Sequence, residues 1–151
     1  MTDTISFDTA TPRFALPLLF AGQAQKEFYV NEAHALVDAL LHCVVEGTAN
    51  TPPAAAVDGT AWLVGSAPTD AWAGQAGAIA ARQSGTWLFV APRDGLRVLN
   101  RLTGQDMRFH GGWQNPVRPA QPAGGTTVDN EARVAISQLL SALSMAGIFS
   151  A

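Results

Sequence analysis

His34, Asp38, His42 and Glu46 recur at every fourth position, the spacing at which imidazoles and carboxylates on neighbouring helical turns can converge on a metal ion. Each step of four drifts by about 40° around a helix, so the whole set does not focus on one ion. The stripe also lies opposite an apolar arc, where solvated side chains belong, and no metal site is expected. Nucleophilic chemistry fares no better. No GxSxG elbow is present, and the single cysteine, Cys43, sits among mostly apolar neighbours, where its role is packing. Gly74, Gly77 and Gly85 have no lysine after them to complete a phosphate loop. Glycoside hydrolysis would need two carboxylates about 5–10 Å apart. Asp58, Asp70, Asp94 and Asp106 are available, but all except Asp106 stand in turn-like contexts that favour Asp for backbone reasons alone. The chain reads as a noncatalytic protein without a cofactor.

The four tryptophans carry the remaining chemical signal. Trp62 and Trp87 fall in aromatic-aliphatic strands and read as core. Trp72 and Trp113 sit in the glycine-bearing stretches DAWAGQAG and HGGWQ. There a large ring either plugs the end of a small sheet or stays exposed as a platform for a sugar ring. In the second case Trp72 or Trp113, with Arg93 and Asp94 as hydrogen-bonding groups, would form a carbohydrate-binding site.

The elements that would position these residues are written in the hydrophobic pattern. Val30, Ala33, Val37, Leu40 and Val44 follow a 3-4-3-4 rhythm, and Ala132, Ile136, Leu139, Leu143 and Ala146 follow 4-3-4-3. Both read as helices with a seam for another helix. The first is expected over 23–47, closed by Gly47, and the second over 128–147, with Asp129 at its start and Gly147 as its left-handed stop. Between them, 53–114 reads as a small antiparallel β domain. Hairpins are expected at Ser84-Gly85 and Thr103-Gly104, and Pro92-Arg93-Asp94-Gly95 forms a sharp corner. Residues 115–127, with three prolines and two glycines, form a linker.

Composition points the same way. In 151 residues the charged share is 14% and the apolar share 48%, so part of the apolar surface is expected in contacts between copies. The net charge is −3 and no Lys/Arg cluster exists, which disfavours nucleic acid. Residues 1–22 carry Asp3 and Asp8 and a short apolar run broken by Pro17, so they read as neither signal peptide nor membrane span. They form instead an arm, with Phe14, Leu16, Leu18, Leu19 and Phe20 as its docking residues, packed on this chain or on a neighbour.

The strings LPLLFAGQAQKEFYVNEAHALVDAL and PPAAAVDGTAWLVGSAPTDAWAGQAGAIAARQSGTWLFVAPRDG, with the terminal VDNEARVAISQLLSAL, resemble a domain of unknown function found in tail-fibre proteins of bacterial tailed phages and in gene transfer agents. The resemblance covers roughly residues 14–147. It implies a virion component, a host-attachment fibre or head spike or its base, made in the bacterial cytoplasm. It also implies a homotrimer, because heptads alone do not choose three chains over two. The expected fold is therefore α+β, with an N-terminal helix in an intersubunit trimeric bundle, a small antiparallel sheet domain and a C-terminal helix. The expected partners are sister copies, other virion proteins and cell-surface polysaccharide.

Overall fold

The computed structural model describes residues 10–22, 24 and 26–150. Residues 1–9 of the expected arm, and Gln23, where the first helix was expected to open, lie outside the described residues. The fold is α+β, in two compact units, Met1–Pro92 and Arg93–Ala151. No helix among the described residues is long and apolar enough to cross a membrane.

The first unit holds α1 (Lys26–Leu40), β1 (Val44–Val45), β2 (Thr48–Ala49), β3 (Ala61–Val64), β4 (Ile79–Gln83) and β5 (Thr86–Val90). Four of the strands form a sheet in the order β2-β3-β4-β5. Its β2–β3 pair is parallel and the others antiparallel. Period-two alternation decides which side chains share a face. Trp62 stands opposite Ala80 and Ala80 opposite Phe89, while Arg82 stands opposite Trp87. That face therefore carries the tryptophans, and Ala61, Leu63, Ile79, Ala81 and Leu88 point the other way. Trp72, from a short 3-10 turn at Asp70–Trp72, closes the aromatic face. Its ring lies 5.1 Å from Trp87 and 6.4 Å from Trp62, in tilted and edge-on geometries of the kind aromatic quadrupoles favour. The opposite face meets α1 across a narrow cleft lined by Ala35, Ala39, Ala61, Ala81 and Leu88.

The second unit holds β6 (Arg97–Asn100), β7 (Gln105–Phe109), β8 (Trp113–Gln114) and α2 (Asn130–Met145). The strands form an antiparallel meander. Buried Gln105 ties it together. Its side-chain amide donates to the carbonyls of Pro116 at 2.7 Å and Ile148 at 2.8 Å, and the Asp106 N–H donates to Gly147 O at 2.7 Å. The Asp129 carboxylate accepts from Ala132 N–H at the start of α2, and Gly147 ends the helix at φ +73, as expected from the sequence. Residues 115–127 carry no helix or strand and are exposed.

Four expectations need correction. The first helix stops at Leu40, and Val44 lies in β1, outside any helical seam. His42 takes a left-handed φ of +47 and turns the chain there, while Gly47, read as the cap, accepts the Leu63 N–H through its carbonyl. The β region opens at Val44, before residue 53, and divides between two units at Pro92. It is not wholly antiparallel, because β2 runs parallel to β3. The second hairpin spans Arg101–Gly104, four residues, with Asn100 Oδ1 accepting the Leu102 N–H inside the loop.

Replacing Trp72 with Ala removes the centre of the aromatic face and is expected to cost about 3–5 kcal/mol, whereas Trp72→Phe costs clearly less. Denaturant melts followed by circular dichroism test this, and equal losses from the two substitutions would contradict the packing described.

Candidate functional site

The arm lies on its own chain. Thr11 N–H donates to Leu16 O, and Ala10 and Pro17 form an antiparallel bridge, so residues 10–17 make a compact turn. The turn sits on Asp38, which is only 2% exposed. Its carboxylate accepts the Thr11 hydroxyl at 2.7 Å, the Arg13 N–H at 3.0 Å and the Phe14 N–H at 2.7 Å. A carboxylate taken from water needs such donors to remain favourable.

Arg13 completes the joint. Its guanidinium donates to the carbonyls of Asp38 at 2.7 Å, Ala39 at 3.0 Å, Leu41 at 3.2 Å and His42 at 2.9 Å. Those of Asp38 and Ala39 are orphan carbonyls of the last turn of α1, at the negative end of its dipole, and those of Leu41 and His42 lie in the turn that follows. Further along, the Asn31 side chain accepts from Leu19 N–H at 2.7 Å and donates to Leu19 O at 2.9 Å, as a neighbouring strand would. His34 Nδ1 lies 2.8 Å from Pro17 O. Asn31, His34 and Asp38 therefore form one inward polar stripe on α1, covered by the arm.

Two members of the stripe expected to be solvated, His34 and Asp38, are thus covered by the arm, and Ala33 and Val37 of the seam face outward. Ala33 is exposed, Val37 is 50% exposed, and Val30 and Leu40 are half-buried. Tyr29 lies on the same outward side and is exposed. Of the histidine-carboxylate series, His34 and Asp38 serve the arm, His42 lies in the turn after α1, and Glu46 lies between β1 and β2. Among the described residues, no three His, Cys, Asp or Glu side chains are grouped to hold a metal. Phe14 is exposed and Leu16, Leu18, Leu19 and Phe20 are half-buried, so the arm keeps partial apolar surface after folding back. Cys43 is buried, and burial pushes its thiol up to about 11 against the lowering influence of Arg13.

In the second unit, Leu140 and Phe149 face inward and are buried. On the predicted seam of α2, Ala132 and Ala146 are exposed, Ile136 is 40% and Leu139 59% exposed, and Leu143 is half-buried.

The proposed glycan residues do not gather as a set. Trp72 is fully buried, because its ring plugs the sheet; this corrects its reading as a sugar platform. Trp113 is half-buried, with its ring 5.3 Å from Phe109 in edge-on geometry. Arg93 and Asp94 are exposed. The Gly111 N–H, donated to Asp94 Oδ1 at 2.9 Å, holds that carboxyl below its ordinary range against the opposing effect of desolvation, with His110 and Arg108 assisting. His110 Nδ1 lies 3.2 Å from Asp94 Oδ2. Asp94 thus braces a loop.

The residues that sequence reasoning missed are Thr11, Arg13 and Asn31. One signal was visible: Arg13 is the sole cation before Lys26, placed beside an apolar run.

A family model described as a protein of unknown function (DUF2793) matches residues 30–114. That is more than half of the chain, which therefore belongs to this family. The match runs from within α1 to the end of β8 and thus includes Asn31 and Asp38. No curated protein matches the chain.

Asp38→Ala leaves three donors, one of them buried, without their acceptor and is expected to cost about 3 kcal/mol, with faster hydrogen exchange at the Arg13 and Phe14 amides. Asn31→Ala, which loses two exchangeable bonds to one residue, is expected to cost about 1–2 kcal/mol. Cys43 is expected to resist alkylation at pH 8 in the native protein and to react promptly in denaturant, since the thiolate is the reactive form. Rapid native labelling would contradict its placement.

Proposed function

We propose that this family member is a noncatalytic structural component of a phage-like particle, a fibre or spike protein or its base, that works as a homotrimer in host attachment. One observation carries the self-association. On α1 the polar stripe is satisfied internally by the arm, while Tyr29, Ala33 and Val37 face solvent. Helices normally turn such residues toward the core, so an apolar stripe left outside by a well-bonded joint fits a surface completed by another copy. The exposed seam of α2 supports the same reading. The particle assignment rests on the likeness of the AGQAQK…NEA, DG, AWAG and APRDG motifs to fibre and gene-transfer-agent domains, and the trimer on that likeness alone. The half-exposed arm residues Phe14, Leu16, Leu18, Leu19 and Phe20 would meet other virion proteins.

A second reading, a carbohydrate-binding module, is favoured by the partial exposure of Trp113 and now rests on it without Trp72. Glycan-array binding abolished by Trp113→Ala would support it, and binding unchanged by that substitution would reject the site.

Purified protein is expected to scatter light as an oligomer at micromolar concentration. Val37→Glu and Leu139→Glu each place a charge where apolar burial contributes about 2–3 kcal/mol, so each should weaken assembly roughly 100-fold without loss of helical signal. A wild-type monomer would remove the basis for self-association. Absence of the protein from purified particles of a producing strain would remove the virion assignment.

A further inference from the structure

Among the nine prolines of the chain, Pro116, Pro119 and Pro122 alone recur at intervals of three, in the stretch Asn-Pro-Val-Arg-Pro-Ala-Gln-Pro. Proline fixes its own φ at about −65°, and the residue before a proline is pushed to extended or polyproline II backbone. Six of the eight residues 115–122 are prolines or precede one, and the stretch forms neither helix nor strand. A polyproline II helix, with about three residues per turn, sets the three prolines on one edge. Both ends are tied to their own unit, since Gln105 Nε2 donates to Pro116 O at 2.7 Å and Gln121 Nε2 to Ser137 Oγ at 3.3 Å. Between the ties Val117 is 86% exposed, and Arg118 is exposed with no carboxylate partner among the described residues.

The start of α1 carries the complementary chemistry. Phe28 and Tyr29 are 79% and 78% exposed, and with Glu27 and Glu32 they line a hollow of about 420 Å³. A second hollow, of about 520 Å³, shares Glu27, Phe28 and Glu32 and continues to the β4–β5 hairpin. No cation of the described residues lines either one. Glu27 Oε1 already accepts the Gly22 N–H at 3.1 Å, whereas Glu32 is exposed and has no ion-pair partner among the described residues. Aromatic-lined grooves take proline-rich segments, because the preformed polyproline helix loses little entropy on docking, and a carboxylate beside the rings selects a segment that carries Arg. The hollow around Glu131 and Val134 of α2 has the carboxylate but no aromatic wall.

We infer that the 116–122 segment of one copy docks across Phe28 and Tyr29 of another copy, with Arg118 paired to that copy's Glu32. This rests on the self-association reading above. The full chain is made with Glu32→Arg, with Arg118→Glu and with both, and light scattering over a dilution series gives the concentration at which each form dissociates. Each single reversal sets like charges together and is expected to raise that concentration about tenfold, while the double reversal returns it to within about threefold of the wild type. Phe28→Ala and Pro119→Ala are expected to raise it several-fold with the helical signal intact. Should a reversal unfold the chain, Glu32→Gln and Arg118→Gln replace it, and their losses are expected to be equal and not to add. Single substitutions without effect on an assembled chain, or a double form as weak as the two losses combined, would overturn this contact and leave self-association standing. A wild-type monomer would remove both.

Discussion

A carboxylate held out of water governs the first unit. Asp38 accepts three hydrogen bonds from a turn that precedes it by more than twenty residues, and the guanidinium from the same turn ends the helix that carries it. Each half supports the other. Without the turn, Asp38 would be a buried charge lacking donors, and without Asp38 the turn would have nothing to close around. A buried charge of this kind gives specificity more readily than stability, and here it fixes where the arm lies and where α1 stops. In the second unit a neutral side chain plays the corresponding part, since Gln105 joins the strand to Pro116 and to Ile148 beyond the helix.

The consequence is an inverted helix. Asn31, His34 and Asp38 are covered because the arm supplies donors and acceptors for them, and Tyr29, Ala33 and Val37 are left outside. Two small residues, Ala35 and Ala39, lie with Asp38 at the inner face of the sheet. The larger apolar weight of that unit lies on the far side of the sheet, where Trp62, Trp72 and Trp87 pack together.

Much of this was legible in the sequence. The α+β class, the Ser84-Gly85 hairpin, the start and stop of α2 and the core role of Trp62 and Trp87 all follow from local chemistry: turn glycines, a capping Asp, alternation. What was not legible depends on partners far apart in the chain. The apolar rhythm runs on through Val44 and Val45, so periodicity alone carried the helix past its end at Leu40. What ends α1 is Arg13. The polar stripe read as solvated because nothing in its own neighbourhood announces the arm that covers it. Trp72 read ambiguously for a similar reason, since a loop ring is placed by the strands it caps and not by its flanking glycines.

A helix whose terminal cap comes from upstream has a bearing on how the chain matures. Residues 11–16 are synthesised before residue 26 is joined, so the guanidinium that finishes α1 already exists when its last turn is made. Translation order thus sets the capping group ahead of the helix that it ends.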